Sequence, residues 1–314
     1  MNTPAISIKG LVKRYGDTTA VAGISLEIGQ GEVFGLLGPN GAGKTTTILM
    51  LLGLTEITEG QVSVLGLDPR RHVLELKRQV GYMPDAVGFY DNLSAYENMM
   101  YSARLAGIPS TQRRKRIERA LASVSLADVA HRPVATFSRG MRQRLGLAEI
   151  RMKQVRIAIL DEPTSGLDPL AAEEFLKMID TLRHEGVCVV LSSHMLDHMQ
   201  RICDRVALFH QGRIVLCGSV GELANQVLGG NRYVRVQAER LDVADVLRAI
   251  QGVQSVERAE PGYRVLADRD VRADIAQAVV QAGASLMTLD ESAPSLDVIY
   301  NQYFQQLQEV RNAA

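Results

Sequence analysis

The sequence contains no tryptophan, and aromatic residues make up only 5% of its 314 positions. Such a chain has few rings on which the bases of a nucleic acid could stack. Net charge is also absent, because 35 lysines and arginines balance 35 aspartates and glutamates. Without an excess of positive charge there is no bulk attraction for a polyanion, so we do not expect a nucleic acid as a partner.

Long apolar runs are missing as well. A membrane-spanning helix needs about 18 consecutive apolar residues, and the best candidates, at residues 48–54 and 187–191, are short and soon interrupted. The first residues lack the basic and apolar segments of a signal peptide, so none is expected. Cys188, Cys203 and Cys217 lie far apart without Cys-x-x-Cys spacing, which is typical of a reducing cytoplasm rather than a disulfide framework.

What is present predicts an α/β domain over residues 1–228. Short apolar runs alternate with helix-patterned stretches, the rhythm of a mainly parallel sheet, and strands are predicted at residues 32–37, 61–65, 156–160, 187–192 and 205–209. Residues 169–184 are predicted as a helix with proline at its first turn. Residues 93–151 are predicted as a helical insertion, which opens with a capping box at Ser94 and Glu97.

A glycine pair at residues 229–230 marks a linker, and a second domain is predicted over residues 231–314. Its pattern is strand, helix, strand, strand, helix, strand, with the first helix predicted at residues 241–250. This is the βαββαβ order of a small ferredoxin-like domain. Residues 295–310 then place apolar side chains on one helical stripe: Leu296, Ile299, Tyr300, Tyr303, Phe304, Leu307 and Val310. We expect this helix to pack on the small domain or on a partner chain rather than on a membrane, since no lysine flanks the stripe.

The strongest motif is a glycine-rich loop between an apolar strand and a helix-forming run. It consists of Gly38, Pro39, Asn40, Gly41, Ala42, Gly43, Lys44, Thr45 and Thr46. In this context the backbone N–H groups curl around phosphate oxygens, Lys44 reaches the β- and γ-phosphates and Thr45 offers a hydroxyl to Mg²⁺. A glycine-rich turn that matches by chance is the alternative, and the flanking strand and helix argue against it.

Two carboxylates follow a second apolar strand, at Asp161 and Glu162. Ligands of open α/β sheets bind at the carboxyl edge, where these side chains are expected. Asp161 is predicted to hold Mg²⁺, and Glu162 to polarise the water that attacks the γ-phosphate. The alternative is a solvated strand end, and the presence of a phosphate-binding loop in the same chain argues against it.

Together with further motifs, these residues resemble a known family, the nucleotide-binding subunits of ATP-binding cassette (ABC) transporters. The resemblance covers about residues 6–223. The segment Ser138, Arg139, Gly140 and Met141 resembles the family's signature at the start of a helix, and Ser165 to Asp168 resembles its D-loop. His194 matches the switch histidine. Tyr15 lies where an aromatic residue stacks on adenine.

The resemblance implies a head-to-tail dimer with ATP and Mg²⁺ at the interface. In it, Ser138 and the backbone of Gly140 bind the γ-phosphate of ATP held by the other copy, at a helix N-terminus. His194 bridges the γ-phosphate and Glu162, and Asp168 couples the two sites. The catalytic residues are then Glu162, His194 and Lys44, acting through positioning and electrostatics.

Two positions depart from the commonest family pattern. Asp85 stands where many members carry glutamine, and the resemblance implies that it contacts water and Mg²⁺ together with Thr45 and Asp161. Arg139 stands where glycine is more frequent. Glutamate, which is longer than aspartate, is common at the position of Asp85 in the exporter branch of the ABC-2 type. Arg139 and Met141 resemble the signature of the same branch. Residues 81–85 and 89–93 and the signature are also similar to ATP-binding subunits of nitrous-oxide reductase maturation or copper export systems.

The resemblance predicts an ATPase subunit that drives a separate membrane permease, an ABC-2 exporter, from the cytoplasmic face of the inner membrane. We expect the permease to press near Phe89 and Tyr90. One alternative is a soluble ATPase of translation or DNA repair, which would normally carry tandem cassettes or a coiled-coil insertion. Another is a regulatory clamp whose C-terminal domain senses a ligand.

Two further patterns have simpler explanations. The basic run at residues 113–116 occupies one polar helix face, which favours a solvated surface over a membrane or nucleic-acid patch. His194 and His198, four residues apart near Cys203, could hold a soft metal. The switch role already uses His194, so we do not expect a metal site there.

Overall fold

The computed structural model describes residues 3–229, 231–239, 242–291 and 295–312. Contacts within the chain group these residues into two units, the first ending at Cys217 and the second beginning at Gly218.

The first unit contains two sheets. Its strands are β1 (Ile6–Tyr15), β2 (Thr18–Ile28), β3 (Val33–Leu37), β4 (Glu59–Val64), β5 (Val80–Met83), β6 (Ile157–Asp161), β7 (Cys188–Ser193), β8 (Arg205–His210) and β9 (Arg213–Gly218). Strands β2, β1 and β4 form an antiparallel sheet in that order. The second sheet has the order β5-β6-β7-β3-β8-β9, and the neighbours from β5 to β8 pair in parallel. The parallel sheet confirms the α/β prediction, whereas the antiparallel sheet was not predicted.

The helices of the first unit are α1 (Lys44–Leu51), α2 (Val73–Gln79), α3 (Ala95–Leu105), α4 (Ser110–Ser123), α5 (Arg139–Lys153), α6 (Pro169–His184) and α7 (Leu196–Ile202), with short 3₁₀ turns at Ala127–Val129 and Val134–Thr136. Helices α3 to α5 form the predicted helical insertion. The predicted capping box is present, because Ser94 N–H donates to Glu97 Oε2 at 2.8 Å and Glu97 N–H donates to Ser94 Oγ at 3.2 Å.

The central strands of the parallel sheet are fully buried. Every residue of β3, β6 and β7 is buried, as expected for parallel strands covered on both faces. A single apolar cluster joins β1, β3, the helix α1 and β8 through side chains such as Ile8, Phe34, Ile48 and Phe209. This core holds the start of α1 in a fixed place relative to the sheet.

Arg151, for which the sequence offers no explanation, links two helices of this unit. Its guanidinium donates to Thr181 Oγ1 at 2.6 Å and also pairs with Glu185. Arg151 lies in the last turn of α5, and both partners lie at the end of α6. The arginine therefore ties the helical insertion to the helix that follows β6.

The second unit contains α8 (Val220–Leu228), β10 (Arg232–Glu239), α9 (Ala244–Arg248), β11 (Val253–Ala259), β12 (Gly262–Ala267), α10 (Arg272–Gln281), β13 (Ser285–Glu291) and α11 (Leu296–Asn312). Its sheet is antiparallel, with the order β11-β12-β10-β13. Buried apolar side chains of β10, β12, α9 and α10 form its core, among them Val236, Leu247, Val265 and Ile275. The element order is the predicted one, although α9 is shorter than the helix predicted at residues 241–250. The predicted start at Leu241 lies outside the described residues.

The last helix packs within its own unit. Leu296 and Ile299 of α11 are buried, and Gln306 Nε2 donates to the carbonyl of Val227 in α8 at 3.2 Å. These contacts support the expectation that the apolar stripe docks on protein. The side chains of Leu307 and Val310 lie outside the described part.

This packing also explains where the two units divide. The sequence places the boundary at residues 228–231, after α8, but the structure places it before Gly218. Helix α8 joins the second unit because it contacts α11, a long-range pairing that the local pattern does not reveal. Among the described helices, none combines the length and apolarity needed to cross a bilayer.

The core of the second unit generates a stability prediction. Ile275 in α10 is fully buried, whereas Val280 on the same helix is 62% exposed. Ile275→Ala should destabilise the second unit by about 2–5 kcal/mol, because it removes buried methyl groups and leaves a cavity. Val280→Ala should change the free energy of unfolding by less than about 0.5 kcal/mol. Urea unfolding followed by circular dichroism measures both, and equal effects would contradict the assigned packing.

Candidate functional site

The predicted phosphate-binding loop joins β3 to α1. Gly38 and Gly43 have φ angles of 145° and 104°, in the left-handed region that glycine tolerates best. A Cβ atom on Gly38 would lie 2.4 Å from the carbonyl oxygen of Phe209, and one on Gly43 would lie 2.6 Å from that of Ala20. Backbone therefore crowds the loop at both ends, and only glycine fits there.

Lys44, the first residue of α1, folds back onto this loop. Its ammonium donates to the carbonyl oxygens of Gly38 at 2.6 Å and Pro39 at 3.3 Å, and it lies 3.7 Å from Glu162 Oε1. Burial lowers the pKa of Lys44 from its ordinary value, and the charges of Glu162 and Asp161 partly oppose the shift. The loop thus holds a buried cation beside two carboxylates.

The end of β6 supplies the first carboxylate. Asp161 is buried and accepts a hydrogen bond from Thr45 Oγ1 at 2.9 Å on Oδ2, and another from Ser192 Oγ on Oδ1. Thr45 comes from α1, while Ser192 stands opposite Asp161 in the parallel register of β6 and β7. A hydroxyl and a carboxylate oxygen in contact are the kind of ligands that Mg²⁺ takes, usually with only one or two carboxylates from the protein. The residues therefore fit a Mg²⁺ ion.

Glu162 leaves the strand in an unusual conformation. Its φ of 48° is left-handed, which costs a non-glycine residue about 1–2 kcal/mol. Its N–H donates to the carbonyl oxygen of Ser192 at 3.1 Å and to Ser192 Oγ at 3.0 Å, which holds the strained residue in place. The carboxylate is thereby directed toward Lys44 and His194.

The two oxygens of Glu162 have different surroundings. Oε2 lies 2.9 Å from His194 Nδ1, whereas Oε1 is buried and has no hydrogen-bond partner among the described residues. The Glu162 side chain is 15% exposed and that of His194 is 51% exposed. A carboxylate oriented by a histidine, with one free oxygen near a buried lysine, can accept a proton from a water molecule.

The structure thus brings Lys44, Thr45, Asp161, Glu162 and His194 into one connected cluster. The other predicted residues make their contacts outside this cluster. Ser138 caps α5 and accepts from Met141 N–H at 3.2 Å, and Asp168 caps α6 and accepts from Ala171 N–H at 3.0 Å. Both caps are exposed.

Tyr15 also makes its contacts outside this cluster. Its ring is half exposed, with the ammonium of Lys13 4.6 Å from the ring centroid and the phenol oxygen 3.4 Å from Thr55 Oγ1. An exposed ring with one open face can stack on a planar base.

Asp85 makes its contacts with the signature segment. Its Oδ1 accepts a hydrogen bond from the Arg139 guanidinium at 3.0 Å, and its carbonyl oxygen accepts one from Gln143 Nε2 at 3.2 Å. In the described part of the chain it forms no hydrogen bond or ion pair with Thr45 or Asp161. The structure therefore pairs Asp85 with the signature segment rather than with the predicted metal ligands.

Sequence reasoning missed several residues around the cluster. Ser192 bonds both Asp161 and Glu162, and the only sequence signal for it is a polar residue near the end of a buried strand. Thr164 Oγ1 lies 3.1 Å from His198 Nδ1, and burial lowers the pKa of this histidine. Burial and the nearby Asp161 raise the pKa of Tyr82 to about 12. The lowered pKa favours the neutral form of His198, which is paired with Thr164, two residues after Glu162.

Comparisons with known proteins identify the family to which the chain is similar. The profile of the ABC transporter family matches residues 21–165. The linearmycin resistance ATP-binding protein LnrL of Bacillus subtilis is 33% identical over 239 residues, 76% of each chain. The ABC transporter ATP-binding protein YhaQ of the same species, named as uncharacterized, is 30% identical over 296 residues, 94% of this chain and 97% of that protein.

A solved structure of an ATP-binding subunit of an ABC transporter is similar as well. It superposes with a TM-score of 0.66 at 28% identity and covers 71% of this chain and 93% of its own. The relatives named here do not support the finer similarity to nitrous-oxide reductase maturation systems. The loop, the carboxylates at the sheet edge and these matches together establish that the chain belongs to the ATP-binding proteins of ABC transporters, which are P-loop ATPases.

Proposed function

We propose that this chain hydrolyses ATP as the engine of an exporter whose membrane-spanning permease is a separate polypeptide. The observation that carries the proposal is the connected cluster of Lys44, Thr45, Asp161, Glu162 and His194. It joins a lysine of the phosphate-binding loop, a hydroxyl and a carboxylate that fit Mg²⁺, and a second carboxylate in contact with a histidine. Two relatives carry matching names: the bacitracin transport ATP-binding protein BcrA of Bacillus licheniformis and the Nod factor export ATP-binding protein I of Ralstonia nicotianae.

The loop and Lys44 bind the phosphates of ATP. The ammonium of Lys44 already lies beside the carbonyl oxygens of the loop, so it meets the β- and γ-phosphates without a large rearrangement. Thr45 Oγ1 and Asp161 would hold Mg²⁺, which supplies positive charge to the phosphates when bound. We leave Asp85 out of this ligand set because its carboxylate contacts Arg139.

Glu162 accepts the proton of the attacking water. Oε2 is held by His194 Nδ1, so the carboxylate keeps one orientation while Oε1 stays free to receive the proton. His194 is half exposed and can also reach the γ-phosphate. This arrangement assigns catalysis to positioning and electrostatics.

A second copy of the chain completes the site. The start of α5 is formed by Ser138 and Arg139, which are exposed, and by Gly140 and Met141, which are partly buried. Backbone N–H groups and the helix dipole favour an anion there. In our proposal they bind the γ-phosphate of ATP held by the other copy. The exposed Asp168 couples the two sites, and Tyr15 stacks on adenine.

Two further features belong to this proposal. In our proposal the chain acts at the cytoplasmic face of the inner membrane through its permease, and the transport and export functions in the names of its relatives support a place at a membrane. We also propose that the second unit is ferredoxin-like, which its βαββαβ element order and its antiparallel sheet support. A soluble ATPase or a ligand-sensing clamp is less well supported, since the relatives are named as transporter subunits.

Removing the base tests the proposal directly. Glu162→Gln should lower the rate of ATP hydrolysis by about 100-fold or more, because an amide cannot accept the proton. ATP binding should remain, so a dimer should accumulate with ATP and Mg²⁺. Phosphate release and size-exclusion light scattering measure the two effects. Glu173→Gln, which changes an exposed glutamate paired with Lys177, is the matched control and should behave as wild type. Hydrolysis by Glu162→Gln at the wild-type rate would refute the assignment.

The metal assignment has its own test. Thr45→Val preserves the side-chain shape but removes the hydroxyl that contacts Asp161, so it should raise the Mg²⁺ concentration needed for half-maximal hydrolysis by about tenfold or more. ATP affinity measured in EDTA should stay near the wild-type value, since the loop and Lys44 are unchanged. A Mg²⁺ requirement equal to that of wild type would remove Thr45 from the ligand set.

Export can be measured in membrane vesicles from cells that make the chain together with its native permease. Because export moves substrate out of the cytoplasm, ATP should drive uptake of a transported antibiotic such as bacitracin into inside-out vesicles only. Vesicles that carry Glu162→Gln should show no ATP-driven uptake and serve as the control. ATP-driven accumulation in right-side-out vesicles loaded with ATP would instead indicate import.

A further inference from the structure

The start of α5 carries positive charge where a helix normally favours negative charge. The first turn contains no acidic residue, and it holds Arg139 and Arg142. Aligned peptide dipoles already give a helix N-terminus a partial positive charge, so arginines there are unfavourable unless an anion is nearby. The first turn of α5 therefore requires a counter-ion.

Carboxylates from an earlier segment supply the missing charge. The Arg139 guanidinium donates to Asp85 Oδ1 at 3.0 Å, and Arg142 pairs with Asp91 Oδ1 at 2.7 Å. Asp85 is also held through its backbone, because the buried Gln143 donates its amide to the Asp85 carbonyl. The carboxylate is thus delivered to Arg139 by the fold and does not meet it by chance.

Arg139 lies on the surface that faces the second copy in our proposed function. Its guanidinium covers Gly166, where a Cβ atom would lie 2.9 Å from Arg139 Cζ. Gly166 precedes the exposed Asp168 in the segment predicted to couple the two sites. The Asp85 and Arg139 side chains are 55% and 51% exposed, so solvent and an incoming anion can both reach the pair.

We propose that Asp85 is an exchangeable counter-ion for Arg139, which the γ-phosphate of the partner copy's ATP displaces when the dimer forms. The inference rests on the proposed function. The guanidinium can neutralise one anion at contact distance, and the phosphate carries more charge than the carboxylate. Because a half-exposed ion pair is weak, the exchange is accessible. Asp85 then sets the ATP concentration at which the two copies associate.

The counter-ion role and the metal-binding role predicted from the sequence have opposite effects when Asp85 loses its charge. If Asp85 competes with ATP for Arg139, removal of its charge makes association easier. If Asp85 helps to hold Mg²⁺, the same removal makes ATP and Mg²⁺ bind less tightly. A single substitution therefore separates the two roles.

The test uses the full chain carrying Glu162→Gln, whose dimer persists with ATP and Mg²⁺. Adding Asp85→Asn should lower the ATP concentration for half-maximal dimer formation by about two- to fivefold, the range expected for a surface ion pair. Asp85→Glu keeps the charge and should stay close to the parent. Asp91→Asn removes the same charge from the other arginine of the helix start and should shift the midpoint less. Light scattering across an ATP titration measures all four proteins.

A mutant cycle shows whether the effect passes through Arg139. In a background of Arg139→Ala, the Asp85→Asn change should no longer shift the midpoint. A shift that persists there, an equal shift from Asp91→Asn, or no shift at all would overturn the counter-ion role while leaving the proposed function intact. A higher ATP or Mg²⁺ requirement would overturn it in favour of metal binding.

Failure of the proposed function gives a different result. In that case Glu162→Gln binds ATP but forms no dimer at any concentration, with or without the Asp85 change. This outcome overturns both proposals together. Circular dichroism of each variant confirms that it is folded, and Asp85→Ser replaces Asp85→Asn if the amide variant does not fold.

Discussion

Parallel pairing in register between three neighbouring strands is the constraint on which the site depends. In the pairing of β3 with β7, Leu37 stands opposite Ser193, and in the pairing of β6 with β7, Asp161 stands opposite Ser192. The residues that follow these positions, Gly38, Glu162 and His194, therefore leave the sheet at one edge. These residues are far apart in the sequence but close together at this edge, because hydrogen bonds between the strands fix the distances between them.

The same register explains the strain at Glu162. If the backbone continued along β6, the Glu162 side chain would point to the opposite face of the sheet from Asp161. The left-handed backbone at Glu162 turns the chain sharply, and Ser192 holds the turn through its carbonyl and its hydroxyl. Strained residues persist when their surroundings over-determine them, and they cluster at functional sites. Here the strain places Glu162 between a buried lysine and an exposed histidine.

Lys44 shows a related balance. A buried ammonium is unfavourable without compensation, which is the reason its pKa is lowered. Carbonyl oxygens of its own loop and the carboxylates of Asp161 and Glu162 provide that compensation. Because the cation is already stripped of water and oriented, bound phosphates need little reorganisation of the protein, the condition under which electrostatic stabilisation is largest.

Prediction from sequence succeeds where the information is local. The phosphate-binding loop, the capping box at Ser94 and the strand that ends in Asp161 are contiguous patterns, and the structure has each of them. The antiparallel sheet, the boundary before Gly218 and the Arg151 bridge depend on residues far apart in the chain, which no local pattern encodes. Ser192 belongs to the same group, since only the strand register shows that it faces Asp161.

Asp85 and Arg139 show what such a long-range contact adds to the sequence. Each departs from the commonest pattern of the family, and taken separately each looks like a defect. Arg139 alone would place positive charge on a positive helix end, while Asp85 alone would place negative charge near the phosphates of ATP. In contact across 54 residues of sequence they neutralise each other. The two departures therefore act as one pair. In our proposal Asp85 neutralises the charge of Arg139 until the γ-phosphate of the partner copy's ATP replaces the carboxylate, and the signature segment then binds this phosphate through the arginine.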